Sequence, residues 1–265
     1  MEHAATVLAL PLYDDTPRVR TPVATGALVA ACVLVYLWQA GLPPRSAAAA
    51  VYSYGMIPAV LFGSAELPAR LQAVPPWLTL LTCQFLHGGL LHLAGNMLYL
   101  WIFGRGVETA LGVPRFLLLY LGSGVLAALA QAFADPASQA PMIGASGAIA
   151  GVLGAYLLLK PRGNVVVFIW ILVFIRLVSL PAVLLLGLWF LLQLASALSA
   201  HTGEAGVAFW AHVGGFAFGI LLLLLLRPRG TRLLQPRRGR PFHARHPRDA
   251  RRRSGGGGDW GGPWG

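Results

Sequence analysis

Long runs of apolar residues, separated by short connections rich in Gly, Pro or polar residues, organise this chain. Several runs approach the ~20 residues that an α-helix needs to cross the hydrocarbon core of a bilayer. We therefore predict an all-α fold, a polytopic membrane helical bundle with six transmembrane helices. The predicted spans are approximately residues 23–40, 89–103, 114–134, 144–159, 181–198 and 209–226.

Three stretches of the pattern are unusual. The fourth span has only about fifteen residues before Lys160, which is too short to cross the bilayer fully, so it should be buried in protein or face water. Residues 41–76 form a Pro- and Ala-rich connection on the outer side, too long to be structureless, and we expect an interfacial or partly folded insertion. Residues 165–180 are interrupted by Arg176 and Ser179 and are predicted to be membrane-embedded or interfacial.

The spans divide the chain into three parts: an N-terminal segment (1–22), a membrane domain (23–226) and an Arg/Gly-rich tail (227–265). The tail has low complexity and is predicted to be disordered. A cleaved signal peptide is the alternative for the first span, because an alanine run at 47–50 resembles a cleavage site. The apolar run is long for a signal peptide and contains Trp38, which favours a retained helix.

Composition supports a membrane protein, since 57% of residues are hydrophobic and 11% are charged, whereas soluble domains have about 25% charged residues. The net charge is +11, and the tail from Arg227 onwards holds eleven Arg and two Asp, hence +9. A basic segment after a last span fits the positive-inside rule, with weak contact to anionic lipid as a secondary expectation. We expect no nucleic-acid partner, because no aromatic or helical reading element accompanies the arginines.

Basic residues also predict the orientation. One face of the predicted topology holds the pairs Arg18/Arg20, Arg105/Arg115 and Lys160/Arg162 together with the Arg-rich tail, while the loops at 134–143 and 200–208 on the opposite face contain no Lys or Arg. Both termini should therefore be cytoplasmic, with Ser146 towards the outer side. The bias of nineteen Arg to one Lys suggests a GC-rich bacterial genome and hence a bacterial cell membrane. Cys32 and Cys83 lie in or near apolar stretches, and no structural disulfide is expected.

Polar side chains within apolar spans are costly, and they are functional candidates by default. His92 and Asn96 are four residues apart and share a helical face in span two, Ser146 opens span four, and His212 lies in span six. Each has an ordinary explanation as a hydrogen bond within or between helices. Their combination is the stronger signal.

Glycine spacing indicates how these side chains could meet. Gly147 and Gly151 form a GxxxG pattern in span four, and Gly215 and Gly219 form another in span six. Small residues allow helix backbones to approach closely. Such an approach would bring the serine and the span-six histidine within hydrogen-bond reach, as nucleophile activation requires.

No carboxylate lies within an apolar span to complete a triad, so we predict a catalytic dyad with Ser146 as nucleophile and His212 as general base. The backbone N–H of Ser146, at a helix N-terminus, would stabilise an oxyanion. The Asn96 amide and the His92 imidazole are further candidate donors. No cofactor or metal is expected.

In these motifs the chain resembles the rhomboid intramembrane proteases over roughly residues 20–226. The carrying segments, in chain order, are His92-Leu-Ala-Gly-Asn96, Gly144-Ala-Ser146-Gly147 and Ala211-His212-Val-Gly-Gly215-Phe-Ala-Phe-Gly219. The resemblance implies a Ser146–His212 dyad, with His92 and Asn96 supporting the oxyanion and Gly144 shaping the loop before the nucleophile. It also implies single-span membrane proteins as substrates, with helix-breaking residues and a small residue at the cut.

Two positions depart from the family pattern. Family members often have Trp-Arg before span two, whereas Trp77 here precedes Leu78. Some members place an aromatic residue, packed on the histidine, four residues after the serine, and this chain has Ala150 there. We expect an active enzyme with altered loop packing.

The sequence leaves three other interpretations open. A catalytically inactive relative, acting as a binding or quality-control factor, would need neither dyad residue. A metalloprotease using His87, His92 and His212 would lack the HExxH pattern and a neighbouring carboxylate base. A transporter would need broken helices and internal repeats, and the sequence shows no repeat.

Overall fold

Helices make up most of the protein in a computed structural model, which describes residues 7–15, 21–171, 174–199 and 207–236. Within these ranges the helices are α1 Val23–Ala40, α2 Pro44–Tyr54, α3 Pro58–Leu61, α4 Thr79–Thr82, α5 Leu90–Leu111, α6 Val113–Ala134, α7 Ser146–Leu159, α8 Ala182–Ser199 and α9 Phe209–Leu226. Short 3₁₀ turns occur at Ala69–Leu71 and Pro76–Leu78. The strands are β1 Val7–Asp14, β2 Asn164–Ile171 and β3 Phe174–Pro181.

Four helices in the described part of the chain, α1, α6, α8 and α9, are long and apolar enough to cross a membrane. They lie within a residue or so of the predicted spans one, three, five and six. Helix α5 has 22 residues and extends beyond the predicted end at 103. It is not among those four helices, because its polar residues make it less apolar. Helix α7 has 14 residues, and its shortness agrees with the predicted buried helix.

Helix α7 occupies the centre of the bundle, against α5, α6 and α9. All residues from Gly147 to Tyr156 are buried. A Cβ added at Gly215 would overlap the carbonyl group of Gly147, and one at Gly219 would overlap backbone atoms of Gly151. The backbones of α7 and α9 are therefore in direct contact at both GxxxG patterns, which only glycine permits.

The three strands form an antiparallel sheet in the order β1-β2-β3, with Val165 between Asp14 on one side and Leu180 on the other. The prediction of an entirely helical chain is wrong at this point, because residues 164–171 and 174–181 form two antiparallel strands, the first of which also pairs with an N-terminal strand. The Val-rich sequence of β2 suits a pleated sheet. A short apolar run cannot be assigned by periodicity alone, and the partner strand lies far away in the chain.

Buried carboxylates accept hydrogen bonds at the end of the helix bundle where the sheet lies, which is the end opposite Ser146. Glu108 accepts hydrogen bonds from the backbone N–H groups of Ala24 and Thr25 at 2.9 and 2.8 Å and from the Thr25 hydroxyl at 2.6 Å. The carboxylate therefore caps the N-terminus of α1, where orphan N–H groups and the helix dipole favour an anion. Asp14 accepts a 2.8 Å hydrogen bond from the Tyr156 hydroxyl, which joins β1 to α7.

The 41–76 connection contains α2, α3 and a 3₁₀ turn, so much of it is folded. It reaches the loop before α7 through a two-way backbone bridge. The N–H of Met56 donates to the Met142 carbonyl at 3.0 Å, and that of Met142 donates to the Met56 carbonyl at 2.8 Å. The connection therefore braces the loop that leads to Ser146.

Candidate active site

Ser146 is the first residue of α7, and Gly144 shapes the turn that delivers it. Gly144 has φ +126°, a conformation that glycine adopts at little cost. Its N–H donates to the Cys83 carbonyl at 2.8 Å. A Cβ there would lie 2.9 Å from Cε1 of His92, so this position has no room for a side chain.

The Ser146 hydroxyl lies 2.8 Å from Nε2 of His212. His212 projects from α9, 8% exposed, and its reach depends on the backbone contact between α7 and α9. The two residues are 66 positions apart in the chain. A nucleophile and a base within 2.6–3.2 Å is the geometry that nucleophilic catalysis requires.

The other nitrogen of His212 has a partner that the sequence analysis missed. Nδ1 of His212 lies 2.7 Å from Oε1 of Gln193 on α8. A carbonyl oxygen only accepts hydrogen bonds, so Nδ1 carries the proton and Nε2 is left to accept from Ser146. Gln193 is a polar residue in an apolar span, and the rule that selected the other four applies to it.

Two further donors face the same region. Nδ2 of Asn96 is buried and has no hydrogen-bond partner among the described residues. Nδ1 of His92 accepts from the N–H of Gly88 at 3.3 Å, which leaves Nε2 of His92 protonated and free to donate. The N–H groups of the first turn of α7 point towards the same region.

These groups line a cavity of about 600 Å³. Its lining includes Ser146, His212, Asn96 and His92, together with apolar residues of the preceding loop such as Ile143. The cavity is therefore lined by a serine hydroxyl, two imidazole rings and a side-chain amide around one space. It is large enough for an extended segment of a few residues.

Comparison with known proteins identifies the family of this chain. Residues 75–229 match the Rhomboid domain family, which is more than half of the chain. The chain belongs to the rhomboid family. Together with its apolar helices, that membership makes it an integral membrane protein.

Relatives include proteins named as proteases and others named only as rhomboid-like. Rhomboid protease GluP of Bacillus subtilis (strain 168) is 46% identical over 98 residues, which are 37% of this chain and 18% of that protein. RHOMBOID-like protein 5 of Arabidopsis thaliana is 32% identical over 152 residues, 57% of this chain and 45% of the relative. Rhomboid protein 1, mitochondrial, of Saccharomyces cerevisiae (strain ATCC 204508 / S288c) is 32% identical over 155 residues, 54% and 40% of the two chains. The chain thus spans less than half the length of each of these three curated relatives.

The two departures from the rhomboid pattern have different structural outcomes. Ala150 is buried in α7, and the ring beside His212 comes from Trp189 on α8, with ring centroids 5.8 Å apart. An aromatic contact with the histidine is therefore present, but from another helix. Trp77, next to Leu78, is 64% exposed at a 3₁₀ turn.

His87 and His92 are neighbours, with ring centroids 5.3 Å apart. His87 hydrogen-bonds through Nδ1 to the Phe85 carbonyl at 3.1 Å, and burial outweighs that bond, lowering the pKa of His87 to about 4. His212 instead contacts Ser146 and Gln193. Within the described residues these three histidines do not form a group able to hold a metal ion.

Proposed function

We propose that this rhomboid-family protein is an intramembrane serine endopeptidase that cleaves membrane proteins with a Ser146–His212 dyad. The observation that carries the proposal is the 2.8 Å contact between Oγ of Ser146 and Nε2 of His212 at the edge of a cavity. The hydrogen bond at Nδ1 leaves Nε2 as the acceptor, so the base faces the nucleophile in the productive tautomer.

Catalysis would proceed by acyl transfer. Nε2 of His212 takes the hydroxyl proton as Oγ of Ser146 attacks the scissile carbonyl carbon, forming a tetrahedral oxyanion. The imidazolium then returns this proton to the leaving amine, giving an acyl-enzyme and a free N-terminus. Water, deprotonated by His212, hydrolyses the ester and regenerates the serine.

Stabilisation of the oxyanion would come from donors that are already in place. Nδ2 of Asn96 is buried without another partner, and Nε2–H of His92 is left free by the bond from Gly88. The first N–H groups of α7 add the positive end of a helix dipole. Each preorganised donor of this kind is typically worth about 10²–10³ in rate.

The proposed substrate is a single-span membrane protein. Peptide bonds in a membrane helix are shielded by their own hydrogen bonds, and exposing them to lipid costs several kcal/mol each. Helix-breaking residues in the substrate would reduce the cost of unwinding a strand at Ser146. The preference for a small residue at the cut rests on the family.

The proposed orientation places both termini in the cytoplasm of a bacterial cell and opens the site to the outer side. Arg105, Lys160 and Arg227 support it, since they lie at or near the C-terminal ends of α5, α7 and α9, opposite Ser146. The predicted contact between the basic tail and anionic lipid falls on residues that lie largely outside the described ranges.

The decisive experiment combines labelling and turnover. One sample of purified protein in detergent or liposomes is treated with a fluorophosphonate, and a separate untreated sample is incubated with single-span substrates. We expect the unmodified protein to be labelled and to cleave, and Ser146→Ala and His212→Ala to lose turnover with unchanged thermal unfolding, because a dyad acts as a unit.

Near-normal turnover in either variant would refute the dyad. Absence of labelling and of cleavage in well-folded unmodified protein would favour an inactive rhomboid-like binding factor. As a matched control, Ser199→Ala removes another serine hydroxyl, one that donates a hydrogen bond to the Ala195 carbonyl of its own helix, and this variant should cleave normally.

A further inference from the structure

Gln193 lies in the second half of α8, within the sequence Leu-Leu-Gln193-Leu-Ala, where its amide is isolated among apolar neighbours. Its Oε1 is 2.7 Å from Nδ1 of His212. A polar side chain in an apolar span is energetically costly unless it has a hydrogen-bond partner or a functional role. We propose that Gln193 is a positioning residue that fixes the tautomer and ring orientation of His212, an inference that rests on the proposed protease function.

A neutral imidazole has one donor nitrogen and one acceptor nitrogen. With Oε1 of Gln193 as acceptor, the donor must be Nδ1, and the lone pair is on Nε2 towards Ser146. Without this oxygen, a buried Nδ1–H would be unpaired. The competing tautomer, with the proton on Nε2, would then gain population, and it cannot accept the serine proton.

The same contact also acts in the transition state. When His212 takes the serine proton, both ring nitrogens become donors and the ring becomes positive. The bond to Oε1 is then charge-assisted and roughly twice as strong as before. An amide supplies this stabilisation without a full negative charge, so its effect should be smaller than that of a triad carboxylate.

No ion pair within the described residues includes His212. The ring is instead held by three neutral contacts from two helices: the Ser146 hydroxyl on α7, and on α8 the Gln193 amide together with the indole of Trp189. Helix α8 thus supplies two of the three contacts. The orientation of the base therefore depends on where α8 lies.

The test compares two variants at position 193. Gln193→Leu keeps a side chain of similar volume and removes the acceptor, and we expect kcat to fall about 10–100-fold with KM little changed, less than the ~10⁴ of a disabled triad carboxylate. Gln193→Glu keeps an acceptor and should retain kcat within a few-fold. Its negative charge favours the imidazolium, so the acidic limb of its kcat profile should move to higher pH.

Leu188→Ala is the matched control, because this residue is on the same helix and is 60% exposed. It should leave kcat unchanged, which would show that a substitution elsewhere on α8 is not enough to reduce kcat. A Gln193→Leu variant with normal kcat would overturn the inference. So would equal loss of kcat in the Leu and Glu variants with a parallel fall in thermal unfolding temperature.

A readout that does not need turnover separates this inference from the proposed function. In protein labelled with ¹⁵N-histidine, Nδ1 of His212 should give a protonated, pyrrole-type shift, and Gln193→Leu should move it towards the unprotonated type. An unchanged shift would overturn the role of Gln193 even if cleavage is established. A protein whose shift responds but which never cleaves would instead refute the protease proposal alone.

Discussion

Helices α8 and α9 have the same length, 18 residues, and are both apolar enough to cross a membrane, but they hold different places in the bundle. Of the residues in α9, 33% are buried, against 17% in α8. Both carry a polar residue that reaches the candidate site. Length and composition therefore indicate membrane insertion, and they leave the depth of packing undetermined.

Small residues account for the difference. In α9, Gly215 and Gly219 are placed four residues apart and meet backbone atoms of α7. In α8, a Cβ added at Gly187 would find no atom within 4 Å. Because apolar side chains gain little by leaving lipid for protein, close backbone contact is what fixes a helix in a membrane bundle.

The largest effect on this comparison is expected from Gly219→Ala. The added Cβ would overlap backbone atoms of Gly151, which cannot rotate away. Overpacking typically costs about 1–3 kcal/mol and occasionally more, and separating α7 from α9 would also withdraw His212 from Ser146. Thermal unfolding in detergent should show a loss of stability and cleavage should drop sharply. Unchanged values for both would show that the helices have room to move.

A smaller effect, which a second substitution should partly reverse, is expected from Gly151→Ala. Its Cβ would collide with the side chain of Ser123 on α6 and lie 3.2 Å from the Gly215 carbonyl oxygen. Ser123→Gly removes the first obstacle, so the double variant should recover part of the stability, with a coupling energy of about 0.5–3 kcal/mol. Ser123→Gly alone is the control for the added glycine. Strict additivity of the two changes would contradict a direct contact.

The smallest effect is expected from Gly187→Ala on α8, which is the counterpart of Gly219→Ala. The added methyl group has open space around it, and alanine favours a helix over glycine by up to about 1 kcal/mol. Stability should be unchanged or slightly higher and turnover normal. A loss comparable to that of Gly219→Ala would mean that α8 packs as closely as α9 and would remove the distinction.

The membrane-facing organisation could be predicted from sequence because it depends on local properties. An apolar run is visible wherever it occurs, so α1, α6, α8 and α9 match four of the predicted spans closely. A polar residue inside such a run is equally visible in the sequence, and this criterion selected His92, Asn96 and His212. Glycine spacing indicated which helices would approach, and the structure has α7 and α9 in backbone contact.

Tertiary structure decided what depends on partners distant in the chain. Strands β2 and β3 form because they pair with each other, and β2 also pairs with β1, about 150 residues away. Their apolar sequence alone is consistent with several structures. Gln193 is as visible in the sequence as His212, but the 2.7 Å contact between them is set by how α8 and α9 are rotated and separated. Trp189 likewise lies beside His212 only because α8 packs there. The sequence selected Ser146 and His212 as candidates, and the fold determined which groups contact His212.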